Sequence, residues 1–132
     1  MNHVVARYQD GRTVKGLTND FLPAKSVFHI LPEGSSPAAK PVEMVVNELK
    51  AVFFVKDLAG NPSHKKTNAF DPNKPPVGRK VRVEFKDGEV LVGTTQGYQP
   101  DRPGFFIVPA DARSNNERCF IVAAAAKQVV ML

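Results

Sequence analysis

The 132-residue sequence has one cysteine, two tyrosines, three histidines and no tryptophan. A single cysteine, Cys119, excludes an internal disulfide framework and any cysteine-rich zinc site. No apolar run approaches the roughly 20 residues that a membrane-crossing helix needs. The opening MNHVVARYQDG lacks a basic start followed by an apolar segment, so no secretory leader is expected. The histidines, His3, His29 and His64, are spread one to each segment of the chain, whereas a metal site wants two or three converging. The expectation is a cytoplasmic protein with no metal, no cofactor and no membrane association.

What the chain does carry is positive charge, and it is concentrated. Eighteen Lys and Arg face thirteen Asp and Glu, a net +5. Residues 1–55 have a balance of +1 and residues 81–132 a balance of zero. Residues 56–80 hold Lys56, Lys65, Lys66, Lys74, Arg79 and Lys80 against Asp57 and Asp71, a balance of +4. A basic stripe suggests nucleic acid or an acidic surface as partner. Confined to one stretch between near-neutral regions, it reads first as a solvated linker.

Sliding the sequence on itself by 77 positions aligns residues 3–55 with 80–132 without a gap and gives 12 identities in 53 positions. Asp10/Asp87, Gly11/Gly88, Gly16/Gly93, Pro32/Pro109 and Lys50/Lys127 are among them. Glycines, prolines and apolar positions coincide together, which marks an internal repeat. The expected organisation is a first small β-barrel over 1–55, a basic, proline-containing linker over 56–78 and a second barrel over 79–132.

Each copy reads as five short strands. VVARYQDGRTVKG and VRVEFKDGEVLVG alternate around Asp-Gly, a dipeptide that favours a type I′ hairpin turn. Val81, Val83 and Phe85 point inward, as do Val4, Ala6 and Tyr8. Gly16 and Gly93 fall inside the second strand, where glycine marks a sharp bend or a close backbone approach. FHILP and FFIVP supply a third strand. FIVAAAAKQVVML could be helical on alanine propensity, but its counterpart VEMVVNELKAVFFV favours strands. One structure must serve both, so each is read as strand, short turn, strand. Five strands in so short a copy point to a small, nearly closed barrel.

The hairpins, with Phe21 and Tyr98 following, resemble the SH3-like barrels and their Sm-like branch. That resemblance implies an all-β fold of two tandem five-stranded barrels. The Sm-type RNA pocket is not implied: Leu22 and Gln99 stand where its Asp would be, and VVNEL and VAAAA lack its Arg-Gly pair. LKAVFFVKDLAGNP, FKDGEVLVGTTQGYQPDRPGFFIVPAD and SNNERCFIV further resemble an uncharacterised family of small bacterial domains. In that family the module occurs alone or appended to PilZ-type signalling domains, which implies regulation or binding and supplies no catalytic residues.

No pattern nominates a reaction. Asp10 and Asp87 are explained as turn residues. Cys119 aligns with Val42 and reads as a buried apolar position. His29 reads as a half-exposed strand residue. The chain is therefore read as non-enzymatic. Candidate binding residues are polar groups on loops: Tyr98, Arg102, Asn115, Asn116 and Arg118 in the second copy, and Lys25 in the first. Lys65, Lys66, Lys74, Arg79 and Lys80 form the alternative, nucleic-acid-facing set. The main expectation is a regulatory or protein-interaction module, with RNA binding as the second.

Overall fold

The computed structural model describes residues 1–36, 38–60, 67–70, 72–73, 78–111 and 114–132. The fold is all-β. The strands are β1 Asn2–Tyr8, β2 Thr13–Thr18, β3 Val27–Pro32, β4 Val42–Val45 and β5 Leu49–Val55, then β6 Arg79–Phe85, β7 Val90–Thr95, β8 Gly104–Pro109, β9 Asn116–Val122 and β10 Ala126–Met131. Short 3-10 turns at Val46–Glu48 and Ala123–Ala125 connect β4 to β5 and β9 to β10. The alanine run thus makes one turn of 3-10 helix and then extends. Strands β6, β7 and β8 begin and end 77 residues after β1, β2 and β3, as the sequence offset requires.

All ten strands lie in one open antiparallel sheet, in the order β10-β6-β7-β8-β9-β5-β1-β2-β3-β4. Each half contributes the same internal order, its last strand beside its first. The halves meet where β5 pairs with β9, Ala51 opposite Ile121, Val52 opposite Phe120 and Phe53 opposite Cys119. This seam makes the sheet continuous.

Every residue of β5 is buried. From Ala51 onward its even and odd residues serve different cores, which is why AVFFV is apolar throughout instead of alternating. Val52 and Phe54 join Val4, Ala6, Phe28, Ile30 and Phe120 in one cluster. Ala51, Phe53 and Val55 join Val81, Val83, Phe85, Ile107 and Ile121 in the other. Each core is completed by the other half. Phe21 sits at the centre of an edge-to-face group with Phe28, Phe54, Phe106 and Phe120, its ring centroid 5.0–5.9 Å from each. That geometry suits the ring quadrupoles.

One local expectation resolves differently. The Asp-Gly hairpins are not type I′, because no non-glycine residue has positive φ among the described residues, whereas Gly11 and Gly88 have φ of 96° and 94°. Tyr8 N–H donates to Arg12 O at 2.8 Å and Gly11 N–H to Tyr8 O at 3.0 Å; Phe85, Glu89 and Gly88 repeat this. That is a type I turn closed by a left-handed glycine, the three-residue hairpin form. Asp10 and Asp87 cap it by accepting from the N–H two residues on. Gly16 and Gly93 have ordinary φ; a close crossing excludes their side chains. A Cβ on Gly16 would lie 2.0 Å from Leu31 O, and one on Gly93 2.2 Å from Val108 O.

Candidate functional site: a groove at the seam between the halves

The outer face of β1 and β2 runs beneath the seam. Val5 lies opposite Phe53 and also opposite Lys15, so the row Lys15, Val5, Phe53 crosses three adjacent strands on one face. Arg7 and Thr13 form the next row. The second half rises beside these residues and leaves a groove of about 370 Å³. Phe53, Val55 and Val5 give it an apolar floor. Arg7 and Lys15 supply cations, and Asn116 and Glu89 form the far wall. The Arg7 guanidinium lies 5.9 Å from the centre of the Phe53 ring. Lys15 Nζ reaches Leu58 O at 3.4 Å on the near rim.

Glu89 of the groove wall also belongs to an ion cluster that joins the two halves. Lys50, only 5% exposed, belongs to β5, yet its Nζ donates to Asp87 Oδ2 at 2.7 Å and Glu89 Oε1 at 2.5 Å in the opposite half. It also sits 4.7 Å from the Phe85 ring centre. The Lys50 hydrogen bond, and then the Glu89 N–H, hold the Asp87 carboxyl below its ordinary range. With Lys50 engaging Glu89, the cations of Arg7 and Lys15 dominate the open part of the groove.

The polar loop residues expected to form a binding surface fall in four places. Asn115 is a structural latch: its Nδ2 donates to Asp57 O at 2.7 Å, and its Oδ1 accepts from Asp57 N–H at 3.1 Å. This ties the end of β5 to the start of β9. Asn116 faces the groove. Arg118 lies on the other face, stacked 4.4 Å from the Phe54 ring and 4.7 Å from Phe106. Tyr98 packs edge-on against Phe105 at 4.7 Å, and Arg102 Nε donates to Gln99 at 2.7 Å. These two line a separate hollow of about 180 Å³ beside Lys127 and Val129 of β10. Lys25 is exposed in a turn whose N–H donates to Leu22 O.

Arg79 is exposed at the start of β6, and Lys80 Nζ sits 4.9 Å from the Phe70 ring. Lys65, Lys66 and Lys74 lie outside the described residues. His29 is half-exposed in β3, its Nδ1 2.7 Å from Asp20 Oδ2. Burial pushes the Asp20 carboxyl up, but hydrogen bonds from His29 and Thr18 outweigh it and leave it lowered. Cys119 is buried.

Reading the sequence residue by residue misses Arg7, Lys15 and Phe53, because they meet only once β5 is placed between the halves. Lys50 carried a usable signal: a single cation inside the apolar run LKAVFFV needs buried partners. Among the described residues, no group of three His, Cys, Asp or Glu could hold a metal ion. No described helix is long and apolar enough to cross a membrane.

Fold and site together define an all-β protein with a groove shared by its two halves. By sequence profile the chain belongs, over residues 1–132, to a family of unknown function (DUF6982). Searches of the curated proteins and of the solved structures found no match.

Proposed function

We propose that this chain is a non-enzymatic bacterial module that binds a partner protein, acting in regulation in the cytoplasm. In this reading each half is an SH3-like, Sm-like five-stranded barrel descended from one ancestor by duplication. The shared strand order and the constant 77-residue offset support that descent. The observation that carries the function is the seam groove, with its apolar floor and the paired cations Arg7 and Lys15. An extended acidic segment with interspersed apolar side chains matches it: carboxylates meet the cations and apolar groups cover Phe53 and Val55. The resemblance to modules appended to PilZ-type signalling domains supports the regulatory setting. Fluorescence anisotropy with a labelled peptide alternating Glu with Leu and Phe tests the reading. Arg7→Glu with Lys15→Glu should weaken binding by about fivefold or more, the scale of two exposed ion pairs lost. Affinity unchanged by both reversals overturns it.

A second reading, RNA binding, is favoured by the +4 segment and by cations on aromatic faces, Lys80 on Phe70 and Arg118 on Phe54 and Phe106. Replacing Lys65, Lys66 and Lys74 by Gln should then weaken retention on RNA and on heparin, and flatten its salt dependence through fewer released counterions. Unaltered retention would place any such surface elsewhere.

A further inference from the structure

The seam inside the chain uses one edge of each half: the fifth strand of the first, β5, and the fourth of the second, β9. Because the halves share one strand order, two further edges of the same kinds remain. They are β10, the fifth strand of the second half, and β4, the fourth of the first, and they are the two ends of the sheet. The ion clamp repeats as well. Lys50 of the first half holds Asp87 of the second. Their counterparts, Lys127 and Asp10, are both exposed and lie in opposite halves. Lys/Lys and Asp/Asp are two of the 12 identities in the repeat.

We infer that copies of this chain associate head to tail, β10 of one copy pairing antiparallel with β4 of the next, and Lys127 engaging the neighbour's Asp10. Moving the seam register by the repeat offset sets the contacts. Ala51–Ile121, Val52–Phe120 and Phe53–Cys119 become Gln128–Met44, Val129–Glu43 and Val130–Val42 across copies. The chemistry differs from the internal seam in a way that fits a reversible contact. Phe106 and Phe120, which lock the halves together, are replaced in the repeat by His29 and Glu43, both exposed on β3 and β4. Glu43 falls opposite Val129, diagonal to Lys127 on the same face, so charge attraction takes the place of aromatic packing. Asp10 is bound to Arg12 at 2.8 Å in the single chain and exchanges that exposed partner for Lys127. Such a contact is heterologous, so copies add in one direction until a ring closes or a filament grows.

Sedimentation of the full chain across a concentration series, combined with charge reversal at two exposed sites, tests the inference. The wild-type chain should show species at multiples of its 14.4 kDa mass. Lys127→Glu alone and Asp10→Lys alone should each remain monomeric, and an equimolar mixture of the two variants should regain association with the two chains alternating, because every contact then joins opposite charges again. Under mild oxidation, a mixture of Val130→Cys and Val42→Cys chains should give the mixed disulfide. A wild-type chain that stays monomeric at millimolar concentration overturns the inference. So does association that survives either reversal. Preferential disulfide linkage between two chains that both carry Val130→Cys also overturns it, because it would mean two-fold pairing of β10.

Discussion

Lys50 and Asp87 come from different halves of the repeat, yet they are 2.7 Å apart, with the lysine buried and the aspartate half-exposed. Their exposure makes the pair asymmetric. Removing the lysine leaves Asp87 and Glu89 able to turn to water. Removing both carboxylates leaves a buried ammonium with its two acidic partners gone. Breaking a buried pair in that sense is the costly direction. Lys50→Met should therefore cost about 1 kcal/mol, and Asp87→Asn with Glu89→Gln about 3 kcal/mol or more. Urea midpoints of the two variants against wild type check the order. Equal losses would mean that the ion cluster adds little beyond packing.

The same pair sets an acid dependence. The folded-state pKa of Asp87 lies below its ordinary value of 3.8, with the Lys50 hydrogen bond as the largest cause. A lowered folded value means stability that is fully present above the unfolded pKa and is lost as pH falls through the folded one. The pair's contribution should be intact at neutral pH and disappear below about pH 4. Subtracting a Lys50→Met titration from the wild-type one isolates it. The gap between the two curves should close on acidification; a gap that widens contradicts the assignment.

Gly16 and Gly93 should resist enlargement because of space and not φ. Valine suits strands by propensity, but its Cβ would meet the backbone oxygen of Leu31 or Val108 at 2.0 and 2.2 Å. Gly16→Val and Gly93→Val should each lower stability by about 2 kcal/mol or more. Gly11→Ala makes the contrast: nothing lies within 4 Å, and only the φ of 96° resists. Its cost should be about 1–2 kcal/mol, that of left-handed strain alone. Denaturant midpoints of the three variants separate crowding from strain.

Phe120 is fully buried and, though in the second half, completes the first half's core. Phe120→Ala should cost about 3–5 kcal/mol, the range for deleting a buried aromatic. Its effect should spread to both halves: amides of β1 and of β8 should lose exchange protection together.

Much of this architecture is legible in the letters, and the illegible part has a definite cause. Val81, Val83 and Phe85 alternate with Arg82 and Glu84, and the three apolar residues are buried as that period requires. The repeat locates each strand of the second half from the first. What it cannot supply is how the halves join, because a self-alignment equates positions without saying which edges meet. The seam is written instead in β5, whose loss of alternation shows burial on both faces. The hairpin type escaped because Asp-Gly serves two turn geometries, and only the φ of Asp10 separates them. The groove followed from the seam, so Arg7 and Lys15 had no local signature. Asn115 is polar and sits on a loop, but its amide is consumed in holding Asp57.

β5 and β9 join the repeats into one folding unit, with the groove as a consequence. Native-state amide hydrogen exchange measures this directly. Val52 and Phe54 on one side of the seam and Phe120 and Ile121 on the other should exchange only through global unfolding. They should share one free energy, equal to that from denaturant melts. Seam amides that exchange at a markedly lower free energy, while each half keeps its own higher value, would contradict it: the halves would then be independent units that merely touch.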